Sequence, residues 1–309
     1  MEISAKILTP EDDFISRNIE DYPEGIIIPI NKPYRWTSAD VIRKVKFAAI
    51  RHFGKKKLKV GHAGTLDPLA TGILLVCIGN ATKLAERLQS HHKEYIAGVT
   101  FGATTPSYDL EKEIDRFFPH EHITAEAVAD ALPSFIGEQD QIAPLFSAKS
   151  VDGVRAYELA RKLHKEGKTL DEAAEELIRV SRINITELEL VKFDEASDNC
   201  GVRNRATPLA AGGGAHDEGV GGVVSHTTLS DASSRINVTD NSALGLPRAD
   251  IRISCSKGTY VRAFARDLGE ALGSGAHLDS LLRSRSGIFR IENALTVEQT
   301  ISLLASDKA

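Results

Sequence analysis

The sequence predicts an α+β fold. Apolar runs of strand length and amphipathic segments of helical spacing are interspersed along the chain, without the regular alternation that a doubly wound parallel sheet requires. The chain has 309 residues, of which 42% are hydrophobic and 26% charged. That length and composition suffice to bury a sizeable core without disulfides or a structural metal. A globally disordered chain is therefore excluded.

The first elements are a strand, a helix and a second strand. Residues 25–30 are almost continuously apolar, as expected of a buried strand. Thr37 or Ser38 can cap the helix that follows, whose apolar residues recur at helical spacing until Gly54 ends it. Residues 72–79 form a second continuous apolar strand. The polar stretch before this strand is thus attached directly to the predicted core.

The rest of the chain continues in the same mixed order. Residues 95–101 alternate with period two, as a half-buried strand should. We expect further helices over residues 81–90, 125–132, 154–166 and 260–272, and further strands over residues 183–190 and 251–255. Gly273 provides the stop signal of the last helix.

The segment from residue 194 to residue 250 differs from the rest of the chain. It contains eight glycines and no aromatic residue or lysine. Such a composition offers little apolar surface to offset the entropy cost of ordering, and it contains no glycine motif for phosphate binding. We therefore predict a glycine-rich flexible insertion over residues 195–249 that is dispensable for chemistry.

Cysteine content and the amino-terminal sequence bear on the compartment. The three cysteines are far apart and form no C-x-x-C pair, which argues against a disulfide framework or a zinc site. Residues 1–13 are mixed and acidic, and the longest apolar run, residues 73–78, is too short to span a bilayer. The sequence predicts a cytoplasmic protein.

Positive charge is concentrated in one block, although the chain as a whole has a formal net charge of −5. Residues 41–60 contain eight basic residues and no acidic one. Such a block is either a phosphate-binding surface for a nucleic acid or a solvated helix face. The charge pattern alone favours neither interpretation.

The most informative stretch is residues 61–72, which reads GHAGTLDPLATG. Its glycines and proline fix an irregular backbone, and the stretch leads directly into a buried strand. Pro68 restricts Asp67 to extended conformations, which allows the Asp67 carboxylate to project from the loop. Taken alone, however, an Asp-Pro pair in a glycine-rich loop more often only forms a turn.

This stretch resembles the defining motif of the TruB family of tRNA pseudouridine synthases, G-H-x-G-T-L-D-P-x-A-T-G. Further family landmarks occur in the family order: Asn31-Lys32-Pro33, Lys93-Glu94-Tyr95, residues 141–149, residues 255–262 and Ala276-His277-Leu278. The resemblance covers nearly all of residues 25–290 apart from the glycine-rich insertion. Several motifs in the right order make chance similarity a poor explanation.

The sequence departs from the family pattern at a few positions. Arg35 and Trp36 stand where the family usually has glycine and a smaller residue. Ala63, Leu75 and Phe146 replace a common threonine, proline and tyrosine. None of these changes removes a reactive group, so the expected chemistry is unaffected.

The resemblance implies a pseudouridine synthase catalytic fold, with a mixed, largely antiparallel sheet flanked by helices, in a single catalytic domain over residues 1–309. Only 19 residues follow Arg290, so we expect no full carboxy-terminal PUA domain. The implied reaction isomerises uridine to pseudouridine at position 55 in the T-loop of tRNA. The uridine is flipped out of the loop, the N1–C1′ bond breaks and the C5–C1′ bond forms.

The same resemblance implies which molecules take part in the reaction. The partner is the T-arm of tRNA, and no cofactor, metal or membrane is expected. The protein itself is expected to be a monomer. These expectations agree with a sequence that contains no nucleotide-binding loop and no cluster of metal-ligating residues.

The resemblance assigns catalytic roles to Asp67, Tyr95 and Arg262. Asp67 either attacks C1′ as a nucleophile or begins a path through proton removal at C2′ and a glycal intermediate, and the sequence leaves both routes open. Tyr95 stacks on the flipped base and can assist proton transfer near the sugar. Arg262 is the expected ion-pair partner that keeps the Asp67 carboxylate charged and oriented.

The expected substrate-binding residues are His62, Tyr95, Tyr260, Leu281 and Lys32. By resemblance, His62 occupies the space left by the flipped base or touches the RNA, and Tyr260 and Leu281 line the uracil pocket. Lys32 is expected to contact phosphate. Without the motifs, each of these residues has an ordinary structural interpretation: a turn histidine, a core tyrosine or a solvated lysine.

Three other functions compete with this interpretation. An RNA-guided synthase of the ribonucleoprotein type shares the catalytic motif, but it normally carries a full PUA domain. A tRNA-binding or tRNA-folding module would not need an intact set of Asp67, Tyr95 and Arg262. A carboxylate-based hydrolase would need a second acid positioned by the sequence, and none is evident.

Overall fold

The computed structural model describes residues 3–146, 150–151, 154–156, 160, 180–197 and 236–305. The strands in these ranges are β1 (Lys6–Ile7), β2 (Ile26–Lys32), β3 (Val60–Ala63), β4 (Ala70–Ile78), β5 (Lys93–Phe101), β6 (Ala103–Thr104), β7 (Arg116–Phe117), β8 (Gly137–Gln141), β9 (Ser150–Val151), β10 (Val154–Arg155), β11 (Ser181–Asp194), β12 (Arg248–Cys255), β13 (Ala276–Ser286) and β14 (Phe289–Arg290). The α-helices with described bounds are α1 (Ser38–Phe53), α2 (Ala85–Gln89), α3 (Ala125–Ala131), α4 (Val261–Ala271) and α5 (Val297–Ala305).

The chain divides into two compact units. The described residues of the first unit lie within 3–86, at 236 and within 289–305, and those of the second unit lie within 87–197 and 237–288. The single catalytic domain expected over residues 1–309 stays a prediction. Where the structure describes the chain, no helix has both the length and the apolar character needed to cross a membrane.

The first unit contains a small sheet that carries the motif loop. β2 pairs parallel with β1 and antiparallel with β4, and β3 pairs antiparallel with β4. β2 and β4 are buried along almost their whole length, which explains their continuous apolar sequences. α1 contacts both β3 and α5, so its apolar face belongs to the core of this unit.

α1 begins and ends where its sequence signals predict. The Thr37 hydroxyl accepts from the Asp40 amide at 3.1 Å, and the Asp40 carboxylate accepts from the Thr37 amide at 3.0 Å, which makes a capping box. Gly54 follows the helix in the left-handed conformation, with a φ of 61°. Near the end of the helix, the buried His52 side chain lies 2.8 Å from the Leu304 carbonyl of α5.

The second unit contains a larger antiparallel sheet with the strand order β13-β5-β12-β11-β8. Residues Ala97, Val99 and Phe101 of β5 are fully buried, as expected of a central strand with neighbours on both sides. α4 contacts β13 and β5. Antiparallel pairs in both units and one parallel pair in the first confirm the expected mixed, largely antiparallel pairing.

Two predicted helices differ from the observed elements. The segment predicted as one helix over residues 81–90 is a 3-10 turn, Gly79–Leu84, followed by the short α2. Val154–Arg155, predicted to open a helix over residues 154–166, instead form β10 and pair antiparallel with β9. The sequence Asp152-Gly153 between these strands is typical of a two-residue hairpin connection. Of the rest of that predicted helix, only residues 156 and 160 are described, and both are helical.

The predicted insertion over residues 195–249 is too wide at its carboxy-terminal end. The Thr239 hydroxyl donates to the Leu110 carbonyl at 3.1 Å, Leu246 is buried, and β12 already begins at Arg248. These contacts order a segment whose own sequence is mostly small and polar, because its hydrogen-bond partners come from elsewhere in the chain. Residues 198–235 of the predicted insertion lie outside the described residues.

Candidate active site

The motif loop connects two paired strands of the first unit. His62 lies on β3, and Asp67 lies half-buried in the connection to β4. The Ala70 amide donates to the Asp67 carbonyl at 3.1 Å, which closes a tight turn around Pro68. Gly64 has a φ of 83°, a conformation that side chains rarely adopt. The backbone of this loop therefore requires the glycine that the motif specifies.

Buried polar side chains hold the residues on both sides of Asp67. The Ser38 hydroxyl accepts from the Leu66 amide at 3.0 Å and lies 3.1 Å from the Leu66 carbonyl, to which it donates. The Lys32 ammonium donates to the Pro68 carbonyl at 3.2 Å. Because both neighbouring residues are held by groups inside the fold, the backbone at Asp67 is fixed by the core rather than by the loop alone.

Lys32 does not have the environment expected of a phosphate contact. Its side chain has no exposed surface, and besides Pro68 its ammonium donates to the carbonyls of Trp36 at 2.6 Å and Pro33 at 2.9 Å. The carbonyls surround the charge and compensate for its removal from water. In this geometry Lys32 binds the backbone of the protein, so the expectation of a phosphate contact is corrected to a role in fixing the motif loop.

Arg35 adopts a backbone conformation that suits the glycine usual in the family. Its φ is 63°, in the left-handed region. Its guanidinium donates to the Ile236 carbonyl at 2.6 Å, a contact that no glycine can make. The departure from the family pattern at this position therefore links the loop before α1 to the chain at residue 236.

Tyr95 and Leu281 share one face of the sheet in the second unit. Tyr95 of β5 pairs with Arg283 of β13, and Leu281 pairs with Ala97, without a register shift between the two pairs. Side chains two residues apart on a strand point to the same side, so Tyr95 and Leu281 are diagonal neighbours. Tyr95 is only 8% exposed and Leu281 is half-buried. An aromatic and an aliphatic side chain thus lie together on this face, as a pocket for a flat base requires.

Buried cations surround the end of β5 that carries Tyr95. Burial, reinforced by the charge of Arg283, lowers the pKa of Lys93 to about 8. The Lys93 ammonium donates to the backbone carbonyls of His91, at 2.7 Å, and Gln89. Burial also raises the pKa of the neighbouring Cys255 thiol to about 11. The carbonyls compensate for the removal of the Lys93 charge from water, as those around Lys32 do.

Arg262 is held in place by a loop of the second unit. The guanidinium, on the first turn of α4, is 5% exposed and donates to the Ser107 carbonyl at 3.0 Å. Its Nε atom lies 3.7 Å from Oδ2 of Asp109. The other oxygen of Asp109 accepts from the Ser107 hydroxyl at 2.6 Å and from the Glu111 amide at 3.0 Å. Arg262 is therefore not a surface arginine of a helix.

Asp109 contacts a predicted site residue, and the sequence analysis did not identify it. It lies in the loop between β6 and β7, where an aspartate most often forms a turn. The signal that points to it is indirect: a buried arginine needs an anionic partner, and Asp109 supplies one inside this unit. Ser38 was noted only as a possible helix cap, and its contact with Leu66 could not be read from the sequence.

The remaining residues divide between the two units. His62 and Asp67 belong to the first unit, and Tyr95, Leu281 and Arg262 to the second. The expected ion pair between Asp67 and Arg262 stays a prediction. No group of three or more histidine, cysteine, aspartate or glutamate side chains suited to a metal ion occurs within the part of the chain that the structure describes.

Tyr260 comes directly before α4 and is half-buried. It packs against a buried apolar cluster, which consists of Ala143, Leu145, Phe146, Ala156 and Ala160. Two hydrogen bonds join the Tyr260 backbone to the Gln141 side chain. Tyr260 is thus placed close to the start of the helix that carries Arg262.

Two solved structures share the fold of this chain. A chain in the crystal structure of a Cbf5-Nop10-Gar1 complex aligns with a TM-score of 0.54 and 21% identity, over 96% of this chain and 60% of that chain. A chain in the structure of an H/ACA RNP bound to a substrate RNA containing 2'-deoxyuridine aligns with a TM-score of 0.51 and 19% identity, over 96% and 59%. At this identity the likeness shows the fold alone.

The sequence matches are more specific. The family model for the amino-terminal domain of TruB family pseudouridylate synthases matches residues 51–205. tRNA pseudouridine synthase B of Phocaeicola vulgatus is 44% identical over 278 residues, which is 90% of this chain and 92% of that protein. The proteins of the same name from Bacteroides thetaiotaomicron and Thermus thermophilus are 42% and 37% identical, over 90% and 91% of this chain and 92% and 77% of their own lengths.

These matches and the fold define a pseudouridine synthase, an isomerase. The chain belongs to the TruB family of pseudouridylate synthases. The predicted family and the predicted catalytic fold are both confirmed.

Proposed function

We propose that this tRNA pseudouridine synthase acts on uridine 55 in the T-loop, with Asp67 as the catalytic carboxylate. The observation that carries this proposal is the construction of the motif loop. Ser38 holds Leu66 and Lys32 holds Pro68, so the backbone that carries the Asp67 carboxylate has a rigid support. Catalytic groups gain rate from such fixed positions because little reorganisation is needed in the transition state.

Three residues are proposed to act on the uridine, namely Asp67, Tyr95 and Leu281. Asp67 initiates cleavage of the N1–C1′ bond, either by attack on C1′ or by a path through proton removal at C2′. The detached uracil turns and forms the C5–C1′ bond, as the Asp67–C1′ bond breaks in the first route or the proton returns to C2′ in the second. C5 then loses its proton, and N1, which has none in uridine, gains one. Tyr95 and Leu281 provide the face on which the flipped base rests, and base–aromatic stacking of about 1–3 kcal/mol offsets part of the cost of flipping.

Arg262 is proposed to keep the Asp67 carboxylate charged and oriented. Asp109 supports this role, because its carboxylate lies 3.7 Å from the Arg262 Nε atom and is itself fixed by the Ser107 hydroxyl. The contacts with the Asp109 carboxylate and the Ser107 carbonyl restrict the orientation of the guanidinium. His62 is proposed to touch the RNA, and Tyr260 is proposed to line the uracil pocket.

The defining experiment incubates the purified protein with an unmodified tRNA transcript, without cofactor or guide RNA, and maps pseudouridine at single-nucleotide resolution. Pseudouridine at position 55 is expected, and a transcript with cytidine at that position should remain unmodified. Formation at a different position, or no formation, would contradict the proposal. Activity that appeared only after addition of a guide RNA would favour the ribonucleoprotein type instead.

The basic block is proposed to add RNA affinity that does not depend on sequence. Lys55, Lys56 and Lys57 are exposed, and Lys55 pairs with Glu20 at 3.0 Å on the surface, where such pairs are weak. Replacing all three lysines with glutamine is expected to raise the Kd for tRNA. The slope of log Kd against log salt should fall by about 2 units, since each phosphate contact contributes roughly 0.7–0.9.

Fluorescence anisotropy at several salt concentrations measures this slope, and single-turnover rates at saturating protein should stay within about twofold of the wild type. Lys192→Gln is the control, because Lys192 is an exposed lysine of the other unit that pairs with Asp194. An unchanged slope in the triple variant would show that the block is only a solvated surface. Sedimentation velocity of the same samples tests the expected monomer.

A further inference from the structure

We propose that Gln141 is a positioning residue for the reaction: its side-chain amide fixes the backbone of Tyr260 and, through it, the start of the helix that carries Arg262. The inference rests on the proposed function of Arg262 and Tyr260. Gln141 is the last residue of β8 and is only 2% exposed. A buried amide of this kind stabilises a structure only when its donor and acceptor are both satisfied.

The contact between the two residues is reciprocal. Oε1 of Gln141 accepts from the Tyr260 amide at 2.8 Å, and Nε2 of Gln141 donates to the Tyr260 carbonyl at 3.2 Å. The side chain therefore binds both polar groups of one residue, as a neighbouring strand would. The two residues are 119 positions apart in the sequence, so this contact joins the end of β8 to the start of α4.

The Gln141 amide binds the residue that comes directly before α4. Tyr260 is extended, with φ −100° and ψ 108°, and no side chain caps the helix that follows. The Tyr260 carbonyl also accepts the helical bond from the Phe264 amide at 3.1 Å. Fixing Tyr260 thus fixes the axis and rotation of the first helical turn. Arg262 lies on that turn.

Arg262 is sensitive to such a displacement. Its guanidinium is buried and makes directed contacts with Ser107 and Asp109 in a loop of the same unit. A shift of the helix start by about 1 Å moves the guanidinium relative to these partners, and displacements of that size cost on the order of a hundredfold in rate. Gln141 touches neither partner, so its effect is transmitted by the Tyr260 backbone.

The chain provides a matched control two residues earlier on β8. Gln139 is half-buried, and its Nε2 donates to the Phe135 carbonyl at 2.5 Å. It is therefore also a strand glutamine bound to a backbone carbonyl, but it contacts the segment before β8 rather than the start of α4. Because the Phe135 ring packs against Phe264 of α4 with 5.5 Å between the ring centroids, substitution of Gln139 measures the effect of losing such a bond near this helix without removing the contact with Tyr260.

The test compares Gln141→Met, Gln141→Glu and Gln139→Glu. Methionine keeps the size of the side chain and removes both hydrogen bonds. In Gln141→Glu, an ionised carboxylate keeps the acceptor but repels the Tyr260 carbonyl, whereas a protonated carboxyl again donates to that carbonyl and accepts from the amide.

The surroundings of position 141 act in both directions on the new carboxyl group. Burial favours its protonated form. The ionised form is favoured by Arg266, whose guanidinium donates to the Ile142 carbonyl at 3.1 Å and pairs with Asp267. On the adjacent β11, Arg182 pairs with Asp140 on the surface.

At pH 8, Gln141→Met and Gln141→Glu are expected to lower kcat on the tRNA transcript at least about tenfold. The Kd for tRNA should stay within about threefold of the wild type, because phosphate contacts supply most of the affinity. As the pH is lowered to 5.5, the activity of Gln141→Glu relative to the wild type should recover, whereas that of Gln141→Met should not. If Gln141→Met fails to fold, Gln141→Asn keeps the amide but is one methylene too short to span both groups.

Two results would overturn the inference. One is a loss of kcat in Gln141→Met no larger than that in Gln139→Glu. The other is a loss of kcat in Gln141→Glu that is the same at pH 8 and pH 5.5, since neither result depends on the amide contact. A wild-type protein that forms no pseudouridine would instead overturn the proposed function. The two failures are therefore distinguishable in the same set of assays.

Discussion

Asp67→Asn is expected to abolish turnover while the protein still folds and binds tRNA. Asparagine preserves the size and most hydrogen bonding of the side chain but lacks the negative charge that both chemical routes require. We expect a fall in single-turnover rate of at least about a thousandfold, equivalent to about 4 kcal/mol of transition-state stabilisation. The measurement is pseudouridine formation at saturating protein, with tRNA affinity determined in parallel.

Folding of the Asp67→Asn variant should be close to that of the wild type. The contacts that hold the loop come from Ser38 and Lys32 and end on the backbone of the neighbouring residues, so the substitution leaves them in place. Asp13→Asn, at an exposed carboxylate of the same unit, is the control for a charge change. Appreciable pseudouridine formation by Asp67→Asn would place the nucleophile elsewhere. Loss of folding would make Asp67 a structural turn residue.

Arg262→Lys is expected to lower kcat about a hundredfold and to change the Kd for tRNA by less than about threefold. The positive charge is retained, but an ammonium cannot reproduce the planar group that contacts the Ser107 carbonyl and Asp109 together. A displaced positive charge at position 262 alters the contacts of the reacting groups more than the contacts with the RNA backbone. The substitution therefore lowers kcat rather than tRNA affinity. Single-turnover kinetics and anisotropy separate the two quantities.

Asp109→Asn extends this prediction. If Asp109 acts through Arg262, the double variant Arg262→Lys, Asp109→Asn should be scarcely slower than the more affected single variant, because the two residues act as one unit. Arg252→Lys controls for the chemical change, since Arg252 pairs with Glu189 on an exposed part of the sheet. Rate losses that multiply in the double variant would show that Asp109 and Arg262 act independently.

Much of the local structure follows from short-range sequence signals. The helix from Ser38 to Phe53 is defined by its capping box at Thr37 and by Gly54, and each signal lies within one turn of the end that it determines. Apolar runs likewise identify β2 and β4. The loop with Asp67 was found because its motif is contiguous, so its chemistry is written within about twelve neighbouring positions of the chain.

The tertiary structure decided the partners of the site residues. Arg262 and Ser107 are 155 positions apart, and Gln141 and Tyr260 are 119 positions apart. No periodicity or motif encodes such distances, because the pairing arises only when separate strands and loops pack into one core. The sequence alone therefore predicted which residues carry the chemistry, and the packing decided which groups contact them. Lys32 shows the difference most clearly: a charged side chain predicted to face phosphate is buried, and three backbone carbonyls hold its charge inside the fold.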